Sequence, residues 1–322
     1  MTYSSGSLIV ATDYNGFAND TAGANVNGIW ATGTTDAGYG QSALGTVSAT
    51  NTITATQWAS LVNTISSIAS HQGTTITSRT APTAGNIINI LAALNTDLTN
   101  CTTNRGNAVA NGTQFTGWTG TNSNTAGKSG ASWSITFTNT VTFASANAAR
   151  YFFNAGGRVK IDVSKTSTGN TGDPEWNDLA NTLCGDIYIT GGTATQTIAG
   201  SSYTGTTKTG GTGTPNTLAT TTGWYDLTAG AAATIVYKQF ADTAPYTANF
   251  IQHSIAKGAG SDTLVITTLW QNTDSDPITG GTASSGATPG TAPTTIVTYF
   301  PPSSTYLTTA AWGTPSVAAT TT

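Results

Sequence analysis

Few residues in this chain have side chains suited to catalysis. Among its 322 residues there are 14 acids, of which Glu175 is the only glutamate, and two histidines and two cysteines. His71 and His253 are far apart and belong to no cluster with metal-ligand spacing. No G-x-S-x-G sequence occurs, so the motif that positions the nucleophilic serine of many hydrolases is missing. The sequence therefore predicts no catalytic residue, no cofactor and no metal ion.

Glu175 lies in a segment with the features of a helix start. Asp173 can cap the helix, Pro174 suits its first turn, and an acid near a helix N-terminus is stabilised by the helix dipole. We therefore interpret Glu175 as a capping residue, with general acid–base catalysis as the alternative. Trp176 begins the apolar face of this helix, and Gly185 is expected to end it.

Two further motifs are weak candidates for ligand binding. Gly127-Lys128-Ser129 has the ending of a phosphate-binding loop, but Asn122 stands where that loop needs a glycine. Asn272, Asp274 and Asp276 alternate as Ca²⁺ ligands can, yet the glycine and the terminal glutamate of an EF-hand loop are missing. A surface turn capped by its own side chains is the better interpretation of the second motif.

Aromatic rings near aspartates could bind sugars. Strand aromatics, however, more often fill a protein core. The candidates for a sugar-binding role are Trp118, Trp224, Tyr225, Trp270 and Trp312.

The composition is polar but nearly neutral. Only 7% of the residues are charged, against roughly 25% in ordinary soluble proteins, and the net charge is -4. Ten lysines and arginines spread over the chain form no basic stripe, so we expect no nucleic-acid partner. No apolar stretch approaches the roughly 18 to 20 residues of a membrane span, and the first residues lack a signal-peptide pattern. We expect no membrane association, and Cys101 and Cys184 should be unpaired thiols.

The pattern along the chain predicts a mainly β (α+β) fold. We expect residues 1–50 to form an extended N-terminal arm that packs on something else, such as a neighbouring subunit. Residues 51–100 should form a helical hairpin, and residues 101–130 a linker. Residues 131–322 should form a β-sandwich or jelly-roll-like domain with one inserted helix, because many short alternating segments are separated by turn-rich gaps.

The predicted hairpin begins with a capping box formed by Thr54 and Gln57. His71 lies at the end of this first helix, where it can donate to terminal carbonyls. A second helix is predicted from about residue 82 to residue 99. Apolar residues recur at helical spacing, namely Trp58, Leu61, Ile65, Ile87, Leu91, Leu94 and Leu98. They indicate either a hairpin within one chain or a short bundle shared between subunits.

After residue 130 the apolar period changes from 3.6 to 2. Trp133, Ile135 and Phe137 alternate with serine and threonine, which is typical of a half-buried strand. The predicted strands span residues 133–138, 158–164, 186–190, 223–227, 234–240, 246–255, 263–270 and 295–300.

One ordered set of motifs resembles virion structural proteins of tailed bacteriophages, including T4-like and cyanobacterial phages. Its centre is FASANAARYFFNAGG at residues 143–157, followed by the strand at 158–164 and the Trp176-containing helix. The remaining motifs are Tyr39-Gly40-Gln41, residues 53–58, His71-Gln72, Pro301-Pro302, Thr305-Tyr306-Leu307 and Trp312-Gly313. The resemblance implies a particle component with no catalytic residues.

The central motif can also be interpreted physically. Ser145 can cap a short helix, and Arg150 is expected to make a buried or inter-strand bidentate contact. Gly156 and Gly157 allow a sharp return into the next strand. The aromatic anchors are Tyr151, Phe152 and Phe153. This motif serves either internal packing or a latch at a subunit interface.

Three functions follow from these observations. The first is a structural subunit of a tailed-phage virion, in a fibre, neck or tail appendage, assembled in the host cytoplasm with other virion proteins. It would be a homo-oligomer, with a trimer as our guess. The second is a carbohydrate-binding or adhesin module that contacts a host-surface glycan. The third is a polysaccharide-cleaving enzyme, which would need paired carboxylates in one groove.

Overall fold

The computed structural model describes residues 10–19, 24–85, 93–122, 133–166, 173–273, 278–279, 282–283 and 293–322. Its helices are α1 (Ala11–Asn19), α2 (Val26–Trp30), α3 (Ala55–Gln72), α4 (Leu94–Thr103), α5 (Ala146–Asn154) and α6 (Asp173–Asp178). Helix α6 runs directly into a π-helical turn, Leu179–Cys184, and two 3-10 turns span Trp224–Asp226 and Thr309–Ala311. No helix among the described residues is long and apolar enough to cross a membrane.

Fifteen strands form four antiparallel sheets within the described residues. The five-stranded sheet contains, in spatial order, β1 (Phe115–Thr121), β14 (Thr294–Phe300), β3 (Arg158–Ser164), β4 (Asp186–Ile189) and β7 (Thr206–Thr209). The six-stranded sheet contains β15 (Ser316–Thr321), β2 (Trp133–Thr142), β11 (Thr263–Asn272), β10 (Phe250–Lys257), β9 (Thr234–Phe240) and β8 (Thr217–Leu218). Two small hairpins pair β5 (Gln196–Ile198) with β6 (Ser201–Tyr203) and β12 (Ile278–Thr279) with β13 (Thr282–Ala283).

The two large sheets pack against each other as in a β-sandwich. The Tyr299 hydroxyl of β14 donates to Asn139 Oδ1 of β2 over 2.9 Å, inside the core. The ring of Trp118 on β1 lies 5.7 Å from that of Phe137 on β2. Strand β2 alternates strictly between buried and more exposed residues, as the sequence predicts. The prediction of a mainly β (α+β), sandwich-like fold is confirmed.

The predicted extended arm is wrong over residues 11–19 and 26–30. Helices α1 and α2 form there, and their apolar residues join the core of the same chain. The ring of Tyr14 meets Trp58 of α3 edge-on at 5.5 Å, and Phe17 lies 6.4 Å from the same ring. Short Asn- and Gly-rich helices have weak intrinsic propensity, so tertiary packing decides their formation.

The second predicted helix begins later than expected. Residues 82–85 form coil and turn, while α4 spans Leu94–Thr103 and extends beyond the predicted end. Ile87 and Leu91 lie outside the described residues. Leu94 and Leu98 are fully buried in the core of one chain, which favours a hairpin-like packing over a bundle shared between subunits.

The predicted linker at residues 101–130 also needs correction. Its first residues complete α4, and Phe115–Thr121 forms edge strand β1, which pairs with β14. Strand β1 was missed because glycines interrupt its apolar pattern and most of its residues are at least partly exposed.

Residues 223–227 were predicted as a strand and instead contain a 3-10 turn, Trp224–Asp226. Asp226 Oδ2 accepts the Gly223 N–H over 2.8 Å and so closes this turn. Both helices predicted within the sandwich region, after Ser145 and after Asp173, are present as α5 and α6, although the domain prediction counted one inserted helix. The other predicted strands are present, with the strand expected at 246–255 shifted to Phe250–Lys257.

Candidate functional site

Helix α5, the centre of the motif at residues 143–157, is fixed to the loop at residues 32–38. The Ser145 side chain caps the helix by accepting the Ala148 N–H over 3.1 Å, as predicted. The Arg150 guanidinium donates to the backbone carbonyls of Thr32 (2.8 Å), Ala37 (3.0 Å) and Thr35 (3.2 Å). The predicted buried or inter-strand bidentate contact is therefore wrong. Arg150 is half-buried and binds loop carbonyls.

Two further contacts hold the same loop. Asn154 Nδ2 donates to the Gly38 carbonyl over 2.9 Å, and the Tyr225 hydroxyl donates to Asn154 Oδ1. Gly40 has a φ of 71°, and a Cβ there would lie 2.3 Å from the Tyr151 ring. The loop and the motif helix therefore fit together only with glycine at residue 40.

The opposite side of α5 is an aromatic cluster. Phe152 and Phe153 are fully buried, and their rings meet edge-on at 5.1 Å. Phe153 stacks on Trp224 at 5.2 Å, and Phe143 lies 5.3 Å from Phe152. After the helix, Gly156 has a φ of 89°, which supports the predicted sharp return into β3. The packing interpretation of this motif is the one these contacts favour.

The two histidines are buried within the fold. His71 Nε2 lies 3.1 Å from the carbonyl oxygen of Ala155, the residue that caps the end of α5. The prediction that His71 serves the end of its own helix is therefore wrong, because its ring faces a terminal carbonyl of α5. Burial lowers the pKa of His71 to about 4, although the Ala155 carbonyl opposes the shift. A neutral His71 donates its Nε2–H to that carbonyl.

His253 lies on β10 and stacks on Tyr237 at 5.2 Å. Its Nδ1 is 3.0 Å from the Thr268 hydroxyl, and burial lowers its pKa to about 3. Cys101 and Cys184 are buried and unpaired, as predicted, and burial raises their pKa to about 11 and about 12. A histidine whose pKa is lowered this far is a weak base, and a thiol that stays protonated at neutral pH is a poor nucleophile.

A polar cleft of about 480 Å³ lies beside the motif helix. We call it the loop cleft; it is lined by residues 35–36, 103, 105–107, 153–154, 191–196 and 225–226. Asp36 and Arg105 form an ion pair at 2.7 Å on its wall. Gln196 is almost fully buried, and its Oε1 has no hydrogen-bond partner in the part of the chain that the structure describes. The same ion pair also borders a second cleft of about 610 Å³.

Two acids, Asp36 and Asp226, line the loop cleft, but each already has a structural partner. Asp36 pairs with Arg105, and Asp226 closes the 3-10 turn at Gly223. The cleft therefore offers amides, hydroxyls and the aromatic rings of Phe153 and Tyr225 more readily than an unengaged acid–base pair.

A second acidic group lies outside both clefts. Oxygen atoms of Glu175, Asp178 and Asp242 all lie within 4.8 Å of one another. Glu175 is 7% exposed, and its Oε1 is buried without a hydrogen-bond partner from any described residue. Burial raises the pKa of the Glu175 carboxyl, the charges of Asp242 and Asp178 raise it further, and hydrogen bonds from Thr243 oppose the shift. We call these three residues the acidic cluster.

Most residues singled out from the sequence are internal. The apolar candidates are at most 1% exposed, namely Trp58, Leu61, Ile65, Leu94, Leu98, Phe152, Phe153 and Trp176. Trp176 packs between Trp133 at 4.9 Å and Trp270 at 5.8 Å. These side chains build the core of one chain. Whether any of the remaining candidates contacts another subunit stays a prediction.

The sugar-binding candidates are dispersed by the fold. Trp224, Trp270 and Trp312 are buried, and Trp118 is half-buried between the sheets. Only Tyr225 among the five lines the loop cleft. Lys128, Asp274 and Asp276 lie outside the described residues, so the phosphate-loop interpretation stays a prediction. Asn272, however, is fully buried at the end of β11, so the predicted surface turn does not include it.

Sequence reasoning missed the residues that make both polar sites. Asp36 and Arg105 are distant in the chain, as are Glu175 and Asp242. Only the spacing of Glu175 and Asp178, three residues apart on one helix, indicated from sequence that two of these acids could share a face.

The chain was compared with protein-family models, curated proteins and solved structures. No family model, no curated protein and no solved structure matches it.

Proposed function

We propose that this protein is a non-catalytic structural component of a tailed-phage virion, acting through assembly and surface contacts. The observation that carries the proposal is that the described basic side chains contact partners within the chain itself. Nine of the ten lysines and arginines lie in the described part of the chain, Lys128 being the exception, and each of the nine contacts a partner within the chain.

These internal partners are of three kinds. They are carboxylates for Arg79, Arg105 and Lys160, backbone carbonyls for Arg150, Lys165 and Lys208, and aromatic rings for Arg158, Lys238 and Lys257. Arg158 is an example, since its guanidinium carbon lies 4.7 Å from the Phe300 ring centre and 4.8 Å from that of Tyr203. Basic groups engaged in this way are not available as a phosphate-binding stripe.

The remaining surface is rich in threonine, serine, asparagine and glycine. Such short polar side chains lose little conformational entropy when a subunit contact orders them, whereas lysine, glutamate and arginine lose up to about 2 kcal/mol each. A surface of this type suits permanent packing between subunits. The buried neutral histidines and protonated cysteines support the same non-catalytic role.

The motif order at residues 39–41, 53–58, 71–72 and 143–157 supplies the phage assignment, and the proposal rests on that resemblance for its location in a virion. The expected partners are other virion proteins and further copies of this chain. The proposed location in the particle is a fibre, neck or tail appendage, and the proposed oligomer is a trimer.

Mass spectrometry of purified phage particles tests the location. The chain is expected in particles at a fixed ratio to the major tail and capsid proteins, after lysate proteins have been removed by gradient centrifugation. Light scattering on the purified full chain tests self-association. Absence from particles contradicts the virion role, and a monomer at all concentrations contradicts the homo-oligomer.

The loop cleft favours a second candidate function, binding of a host-surface glycan. It presents the Tyr225 ring, the Asp36–Arg105 pair and the amides of Asn107 and Gln196 in one concave surface. Convergent polar groups beside an aromatic ring are typical of small-ligand sites. Glycan-array binding of the full chain tests this function. Thr193→Trp should block the cleft, whereas Thr116→Trp on exposed edge strand β1 is the matched control. Binding unaffected by Thr193→Trp would place the glycan elsewhere.

A further inference from the structure

We propose that the acidic cluster of Glu175, Asp178 and Asp242 binds a hard divalent cation, with Ca²⁺ as the ion it suits best. The sequence predicted no metal ion and assigned Glu175 to helix capping. The proposal concerns a site outside both clefts and does not depend on the virion role.

The spacing of the oxygens fits one shared ion. Ca²⁺ binds its oxygen ligands at about 2.3 to 2.6 Å, so two ligands of the same ion can be separated by at most about 5 Å. The three carboxylates of the acidic cluster each offer an oxygen within 4.8 Å of the others. They are therefore close enough to share one coordination sphere.

Glu175 supplies a second, independent observation. It is 7% exposed, and its Oε1 is buried with no hydrogen-bond partner among the described residues. A buried carboxylate oxygen without a partner is costly, and such groups normally have a donor or an ion beside them. Helix capping does not account for this atom.

The ion pairs of the described residues leave the charge of the acidic cluster unbalanced. They involve Asp36, Asp97, Asp162 and Asp186, and none involves a member of the acidic cluster. Hydrogen bonds from Thr243, such as that of its hydroxyl to Asp242 Oδ1 at 3.2 Å, offset part of the repulsion among the three carboxylates, and a divalent cation would offset the rest.

The fold brings the ligands from two elements and leaves one side open. Glu175 and Asp178 lie three residues apart on α6, and Asp242 follows β9. Asp242 is exposed, so water can enter and complete the coordination sphere. Carboxylate oxygens without nitrogen or sulfur ligands favour Ca²⁺ over Zn²⁺, and the strict octahedral demand of Mg²⁺ disfavours it here. A bound ion would tie α6 to the end of β9.

The competing occupant is a proton. The raised pKa of Glu175 is compatible with a carboxyl that shares its hydrogen with a neighbouring carboxylate. A proton and a cation differ in what removes them, because a chelator strips the cation at constant pH.

Isothermal titration calorimetry on the chelator-treated full chain at pH 7 tests the site, with CaCl₂ and MgCl₂ as titrants. We expect one Ca²⁺ per chain and weaker binding of Mg²⁺. Asp242→Asn removes an exposed ligand without touching the core and should weaken Ca²⁺ binding about tenfold or more, because affinity follows the ligand charge count. Glu175→Gln should do the same. Asp262→Asn, an aspartate in the turn before β11, is the matched control and should bind as the unaltered chain does.

Two results would overturn the proposal. One is no heat of binding and no change in melting temperature at millimolar Ca²⁺, which would leave the proton as the occupant. The other is equal binding by the unaltered chain, Asp242→Asn and Glu175→Gln, which would place the ion elsewhere. If Glu175→Gln proves too unstable to purify, Asp242→Asn and Asp178→Asn decide the question.

Discussion

Helices α5 and α6 are inserted between strands of the same sandwich, but their polar side chains differ in whether they have hydrogen-bond partners. Around α5, the Ser145 hydroxyl, the Arg150 guanidinium and the Asn154 amide each bind a backbone group. On α6, Glu175 faces two further carboxylates, and its Oε1 has no partner among the described residues. The first helix is fixed by satisfied contacts, and the second carries unbalanced charge.

This contrast distinguishes a region that only stabilises the fold from one that could bind a ligand. A region whose polar side chains bind backbone groups of the same chain is complete within that chain, and substituting its residues should lower stability. A region with an unsatisfied buried acid is incomplete in the isolated chain, and substituting that acid can raise stability. Four substitutions test this difference.

Phe153→Ala should have the largest effect. It removes a ring that stacks on Trp224 and meets Phe152 edge-on, and truncating a buried phenylalanine costs about 3 to 5 kcal/mol. Urea denaturation measures the free energy of unfolding. Tyr306→Ala is the control because Tyr306 is 40% exposed, and its effect should stay within about 0.5 kcal/mol. Similar losses in both variants would contradict the assignment of α5 as a core element.

His71→Gln should change the pH dependence of stability. The pKa of His71 is about 4 in the folded chain and 6.5 when unfolded, so the unfolded chain binds the proton first. The contribution of neutral His71 is therefore complete above about pH 6.5 and lost as the pH falls toward 4. The loss is about 1.4 kcal/mol per pH unit, or about 2 kcal/mol at pH 5.

The measurement is the free energy of unfolding of both proteins between pH 7 and pH 4. Their difference should shrink on acidification, since the glutamine that replaces His71 does not titrate. A difference that stays constant with pH would contradict the burial of a neutral His71. His253 should add a loss of the same sign in both proteins.

Gly40→Ala should have a smaller cost. Alanine at a positive φ costs about 1 to 2 kcal/mol, and the added Cβ would also displace the Tyr151 ring. Gly45→Ala is the control because a Cβ there meets nothing within 4 Å. Hydrogen exchange of the loop at residues 32–38 should accelerate only in Gly40→Ala. Equal exchange in the two variants would show that the loop does not depend on the motif helix.

Glu175→Gln should give the smallest effect, of opposite sign. With a chelator present at pH 7, the variant should melt slightly above the unaltered chain, because one of three repelling charges is gone. The pKa of Glu175 is raised, so the destabilisation by its charge grows as the pH rises from about 4.5 through the folded pKa. The two melting temperatures should converge as the pH falls. A lower melting temperature for Glu175→Gln at pH 7 would instead support the capping interpretation.

The sequence was informative wherever a signal is local. The capping box of Thr54 and Gln57, the Ser145 cap and the alternation in β2 all appear as predicted, because each depends on residues less than a few turns apart. The predicted helix start near residue 82 and the predicted strand at residues 223–227 are wrong. At the strand position, Asp226 accepts the Gly223 N–H and closes a 3-10 turn instead.

By itself, the sequence determined the nearly neutral composition, the β-rich class and the helix that begins near Asp173, since these follow from residue types and short periods. Only the tertiary structure decided that α1 and α2 pack on Trp58, that Asp36 meets Arg105, and that Asp242 joins Glu175. The physical reason is that strand pairing and sheet packing choose which distant segments become neighbours, and no local pattern encodes that choice.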